Sequence, residues 1–112
     1  GKLNDCTTCH AGTSYQLTGT WLAPTAGGIR GTTTSTGASP TDSTDNLRTS
    51  PTAAVCGSCH DSAVTKAHMQ DPSTGGRFSV TQAALDGGVA ENCTFCHGEG
   101  RVFDVKTMHG IK

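Results

Sequence analysis

Three short stretches of this chain share one pattern: Cys6-Thr7-Thr8-Cys9-His10, Cys56-Gly57-Ser58-Cys59-His60 and Cys93-Thr94-Phe95-Cys96-His97. Two thiols three positions apart can add across the two vinyl groups on one edge of a porphyrin. The imidazole that follows at once then reaches under the ring to the iron. C-x-x-C-H is the attachment pattern of a c-type haem for that reason. With this composition, chance would supply on the order of 0.01 such matches. The chain holds three, and they use all six of its cysteines. The pattern predicts three covalently attached haem c groups. Cys6, Cys9, Cys56, Cys59, Cys93 and Cys96 are their attachment points, and His10, His60 and His97 are the proximal iron ligands.

Other chemistries fit the spacing less well. Six cysteines could form three disulfides, but disulfide chemistry does not require a His after every second Cys. A zinc site wants four-ligand sets, such as two C-x-x-C pairs or C-x-x-C with H-x-x-x-H. A thioredoxin-like redox motif would occur once, within a βαβ pattern that this sequence lacks.

Two histidines, His68 and His109, lie outside the motifs. An isolated His is ordinarily a surface or core residue. Haem irons need a sixth partner, however, and imidazole is a common one, so both are read as distal ligands. His68 lies eight residues past His60. Eight extended residues span at most ~28 Å, and a helix cuts that reach to ~12 Å. A path round the edge of its own haem is awkward, so His68 is expected to cap the third haem and His109 the second. Five histidines cannot complete three bis-His sites. Met69 and Met108 adjoin the distal histidines and turn poorly to a third iron. The first haem is left with the Gly1 amine, water, a His from another subunit or an open position.

The elements that must carry these residues are poor in apolar matter. Val, Ile, Leu and Phe make up 16 of 112 residues, below the ~20% at which a globular core becomes doubtful. Fifteen glycines add backbone entropy to be lost on folding. The expected fold is mostly irregular with a few short helices, a small multiheme cytochrome fold whose core is dominated by haem. One domain is expected over residues 1–112, with a first-haem segment at 1–22, a Thr/Ser/Gly/Pro-rich loop at 23–54 and a second- and third-haem module at 55–112. Formal charge is −1 with His neutral. Each haem adds two propionates and each ferric porphyrin core retains one positive charge, so three haems bring the oxidised protein to about −4 and the reduced protein to about −7. The eight Lys and Arg are scattered, which argues against a nucleic-acid partner. No run of 18 apolar residues is present, so no membrane span is expected. The start at Gly1-Lys2-Leu3 suits a processed form without signal peptide. Covalent haem attachment in bacteria takes place outside the cytoplasmic membrane. An extracellular or cell-surface location is expected first, and the periplasm second.

Along the chain, Asn4 or Asp5 could cap a helical turn over Cys6–His10. Tyr15, Leu17, Trp21 and Leu22 form the one apolar cluster of the first half, read as packing against the first haem. Between Thr32 and Thr52, twelve of 21 residues are Ser or Thr. That stretch reads as a surface loop, or else as an O-glycosylated segment. Asp61 or Ser62 should cap a helix over Ala63–Met69. Asp71-Pro72 to Gly75-Gly76 reads as a turn, Arg77–Val80 as extended chain and Thr81–Leu85 as a short helix ended by Gly87-Gly88. Arg101–His109 is a last helix or extended arm that stops at Gly110.

Two groups of residues carry a family resemblance in the second half. The first runs from Cys56 through Ala67-His68-Met69 to Gly75-Gly76. The second comprises Glu91 to Arg101, Asp104-Val105 and Met108-His109. Together they resemble modules of the outer-surface multiheme cytochromes of metal-reducing bacteria. The resemblance implies bis-His haems in close stacked pairs, with His68 and His109 as distal ligands. It also implies electron delivery to extracellular acceptors: ferric oxides, chelated metals, flavins or neighbouring cells. The expected function is electron hopping without substrate chemistry, in contact with other cytochromes or with copies of itself in a filament. The rival is a small haem reductase whose open first iron binds nitrite, peroxide or hydroxylamine.

Overall fold

Hydroxyl-rich chain builds the one sheet found among the described residues. The computed structural model describes residues 11–12, 31, 33–74, 77–86 and 91–110. Thr33–Ser35 (β1) pairs antiparallel with Leu47–Thr49 (β2), with Thr34 opposite Arg48. β2 pairs in turn with Val80–Thr81 (β3), with Leu47 opposite Thr81, giving the order β1-β2-β3. Threonine suits this backbone because its branched Cβ restricts χ1 in the way a pleated strand needs. Side chains close the connection between β1 and β2. Ser39 N–H donates to Asp45 Oδ2 at 2.8 Å, Gly37 N–H to Asn46 Oδ1 at 3.1 Å and Thr44 N–H to Asp42 Oδ1 at 2.9 Å. The stretch expected as a loop over 23–54 therefore carries a hairpin. β1 is exposed throughout, so it lacks the apolar alternation that marks a strand in sequence.

Five short helices follow among the described residues. Pro51–Gly57 (α1) starts with Ser50 at the N-cap and a proline in the first turn, where its missing N–H costs nothing. Ala63–Gln70 (α2) is capped by Ser62, whose hydroxyl accepts from Thr65 N–H at 3.2 Å, as its sequence indicates. A 3-10 turn at Pro72–Thr74 leaves it, and Ser79 at φ 56° turns the chain into β3. Gln82–Asp86 (α3) lies one residue later than its expected start. Thr94–His97 (α4) and Val105–Met108 (α5) are single turns.

The chain forms two compact units, one over Leu22–Asn92 and the other over Gly1–Trp21 with Cys93–Lys112. The second and third motifs fall in different units. Within Leu22–Asn92, Ala53, Met69 and Leu85 are buried, Leu85 completely. Burial of one such leucine contributes about 2 kcal/mol. Among the described residues no helix is long and apolar enough to cross a membrane. The expected cap at Asn4 or Asp5, the Tyr15–Leu22 cluster and the stops at Gly75-Gly76 and Gly87-Gly88 lie outside the described residues.

Candidate haem sites

In the second motif, α1 delivers Cys56 on its last turn and helical winding continues past it. Ser58 N–H donates to the Val55 carbonyl at 3.3 Å, and the Cys56 carbonyl accepts from Cys59 N–H at 3.2 Å and His60 N–H at 2.8 Å. Residues three and four apart share a face of such a turn, so Cys56, Cys59 and His60 are presented together. Cys56 is half-buried, whereas Cys59 and His60 are exposed. Gly57 lets this turn sit on the core. A Cβ there would meet the Phe78 ring at 3.1 Å and the Met69 methyl at 3.5 Å. His68 stands exposed on α2, one residue before buried Met69.

The third motif repeats this geometry in the other unit. The Cys93 carbonyl accepts from Cys96 N–H at 3.3 Å and from His97 N–H at 2.8 Å. Cys93 and His97 are half-buried and Cys96 is exposed. Gly98 N–H closes α4 on the Thr94 carbonyl at 3.1 Å, and a Cβ on Gly98 would lie 2.5 Å from that same oxygen. Phe103 N–H then returns to the Cys96 carbonyl at 3.0 Å.

Two histidine hydrogen bonds fix a tautomer. His97 Nδ1 lies 3.2 Å from the Phe103 carbonyl oxygen, and His109 Nδ1 lies 2.8 Å from that of Val105. A carbonyl oxygen only accepts, so Nδ1 carries the hydrogen and the lone pair falls on Nε2, the arrangement found in iron-ligating imidazoles. The Phe103 ring also stacks near His97, centroid to centroid 5.9 Å at 37°. His109 is presented by α5, which Asp104 caps: its carboxylate accepts from Lys106 N–H at 2.8 Å and from Gly100 N–H at 2.7 Å. The Gly100 bond is the first cause holding the Asp104 carboxyl below the usual range. The Lys106 and Thr107 N–H groups add to it, and desolvation opposes them.

These residues fit a covalently held macrocycle. None of the four described cysteines is in a disulfide. Large apolar side chains stand exposed beside the motifs and His109: Val55 before Cys56, Phe95 inside the third motif, Phe103 near His97 and Met108 before His109. A flat apolar ring would cover such residues and recover their burial energy. Burial pushes the Cys56 thiol up, and the negative charge of Glu91 adds to the effect, followed by Cys59. Among the described residues, no three of His, Cys, Asp and Glu converge as a metal-ion site.

Cys6, Cys9 and His10 lie outside the described residues. Four residues that position the motifs or His109 were not singled out for that in sequence: Gly98, Asp104, Phe103 and Glu91. Gly98 and Asp104 sit where a helix stop and an N-cap belong, a local signal that can be read. Phe103 acts through its carbonyl, and Glu91 through a contact made 38 to 41 residues away, neither of which composition records.

The family model described as outer membrane cytochrome MtrC/MtrF-like, domains II/IV, matches residues 1–110. The match takes in the first motif and the Thr-rich stretch, so the family likeness extends beyond the second half to which the resemblance in sequence was confined. No curated protein and no solved structure matches the chain.

Proposed function

Since this chain belongs to the outer membrane cytochrome MtrC/MtrF-like family, we propose that it is a triheme c-type cytochrome that carries single electrons by hopping from haem to haem. Its acceptors are extracellular: metal oxides, other cytochromes or cells. Copies of the chain itself, joined as repeating units of a conductive filament, are among the cytochrome partners proposed. The location proposed is the cell surface or beyond it, and the haems dominate the core.

The observation that carries this reading is the shared turn of the two described motifs. In each, the first Cys carbonyl binds the His N–H at 2.8 Å, although the motifs belong to different units. The haem groups supply one-electron Fe(III)/Fe(II) chemistry. The protein's part is to hold them and set their environment. Cys6, Cys9, Cys56, Cys59, Cys93 and Cys96 would tether the haems, and His10, His60, His97, His68 and His109 would supply imidazole ligands to their irons. α5 and its Asp104 cap hold His109 in place, and the Phe103 carbonyl orients His97.

One observation favours a second reading for the first site. Five histidines leave one of six axial positions without imidazole. On that reading the first site would serve as a small reductase, with an open position for nitrite, peroxide or hydroxylamine. Intact mass together with the alkaline pyridine spectrum tests the main reading. Three haems per chain are expected, and two or fewer would contradict it.

A further inference from the structure

One buried carboxylate takes no part in holding a haem. Glu91 is only 4% exposed. It accepts from the Ser50 hydroxyl and from the N–H groups of Thr52 and Ala53, both at 3.1 Å. These groups form the first turn of α1, and Cys56 follows Ala53 by three residues on the same helix, hence on the same face. Three donors converging on an acceptor-only group, at the positive end of a helix, suit a fixed anion. Buried in this way, the charge is poorly screened by salt.

A ferric porphyrin core carries one positive charge more than the ferrous core. A nearby fixed anion stabilises the ferric form and disfavours uptake of the electron. We propose that Glu91 sets the reduction potential of the haem held by Cys56 and Cys59, keeping it lower than ligation alone would. This inference rests on the haem assignment to the second motif. The step is Fe(III) plus one electron to Fe(II), with the electron drawn from the reductant of the titration and no bond made or broken.

The test is a spectroelectrochemical titration of the holoprotein and its Glu91→Gln variant. Glutamine has the same shape and removes the charge: with its amide oxygen in the Oε1 place it keeps the bonds from Ser50 and Ala53 and gives up the one from Thr52, which Oε2 accepts in the wild type. One of three midpoints should rise. At that haem's wild-type midpoint, the ferrous-to-ferric ratio should go from one to about three or more, a shift of ~28 mV at 59 mV per tenfold. Asp42→Asn removes an exposed charge and should move nothing. Glu91→Asp keeps the charge on a shorter arm and should leave the potential near wild type even where the fold is weakened. The shift should vanish in a chain whose Cys56 and Cys59 are both alanine.

Three unchanged midpoints in Glu91→Gln, with three haems bound, would overturn the proposal, as would an equal shift in Glu91→Asp. Failure of the haem assignment would show separately, as a wild-type chain with fewer than three haems.

Discussion

Replacing Glu91 with alanine tests whether a contact across some forty residues holds the second motif's helix in place. The carboxylate receives the N–H groups of Thr52 and Ala53, at 3.1 Å each, and the hydroxyl of Ser50. Truncation strands two backbone donors, of which Thr52 and Ala53 are 2% and 1% exposed. A buried donor without a partner costs about 1–3 kcal/mol. Ser50 can rotate its hydroxyl to another acceptor, so it adds little. The cost of keeping a carboxylate out of water offsets part of the loss. The net expectation is about 2–3 kcal/mol. At roughly 4 °C per kcal/mol for a chain of this size, that lowers the melting temperature by about 8–12 °C. Thermal unfolding of the holoprotein followed by far-UV and Soret circular dichroism gives the number. Glu91→Gln should keep part of the lost stability, because its one amide oxygen still accepts from Ala53 and Ser50 while Thr52 N–H loses its partner. A Glu91→Ala melting point within about 3 °C of wild type would refute the capping account, because two orphaned buried N–H groups cannot cost so little.

Asp104 should show itself in acid. Its carboxyl is held low in the fold, chiefly by Gly100 N–H, so its support for α5 is complete above the ordinary aspartate value of about 3.9 and is lost as pH falls through its lowered value. If His109 ligates a haem as proposed, an acid titration of the haem spectrum should retain that ligation below pH ~3.9 in wild type, and Asp104→Ala should lose it at higher pH. Gly98→Ala should destabilise by about 1–3 kcal/mol through overpacking and reduce haem loading at the third motif, because the added Cβ would lie 2.5 Å from a backbone oxygen that cannot swing aside. Mass spectrometry and melting together check it. His68→Ala and His109→Ala should each turn one low-spin haem high-spin in the electron paramagnetic resonance spectrum. An unchanged spectrum in either would remove that residue from the distal set.

Spacing alone singled out the candidate attachment residues, because C-x-x-C-H encodes its chemistry over five consecutive positions. Local capping was legible too: Ser62 starts α2 where a hydroxyl before an Ala-Val-Thr run should, and α3 begins within one residue of expectation. The hairpin was not legible. Its strands are three residues long, β1 is wholly exposed, and the apolar alternation that signals a strand was never required of it. Threonine there reads as low complexity although its branched side chain suits a strand. Glu91 was hidden for a different reason. Before Asn92-Cys93 it resembles any surface acid, and only the tertiary fold brings it to the start of α1. The tautomers of His97 and His109 depend on backbone carbonyls, which every residue has and no sequence motif distinguishes.

The measurement closest to the central claim is controlled-potential coulometry of the purified holoprotein, followed by reoxidation with a soluble ferric chelate. An electron carrier with three haems takes up three electrons per chain and gives all three back to the chelate. Uptake of fewer than three would contradict the account, as would a chain that stays reduced in the presence of the chelate.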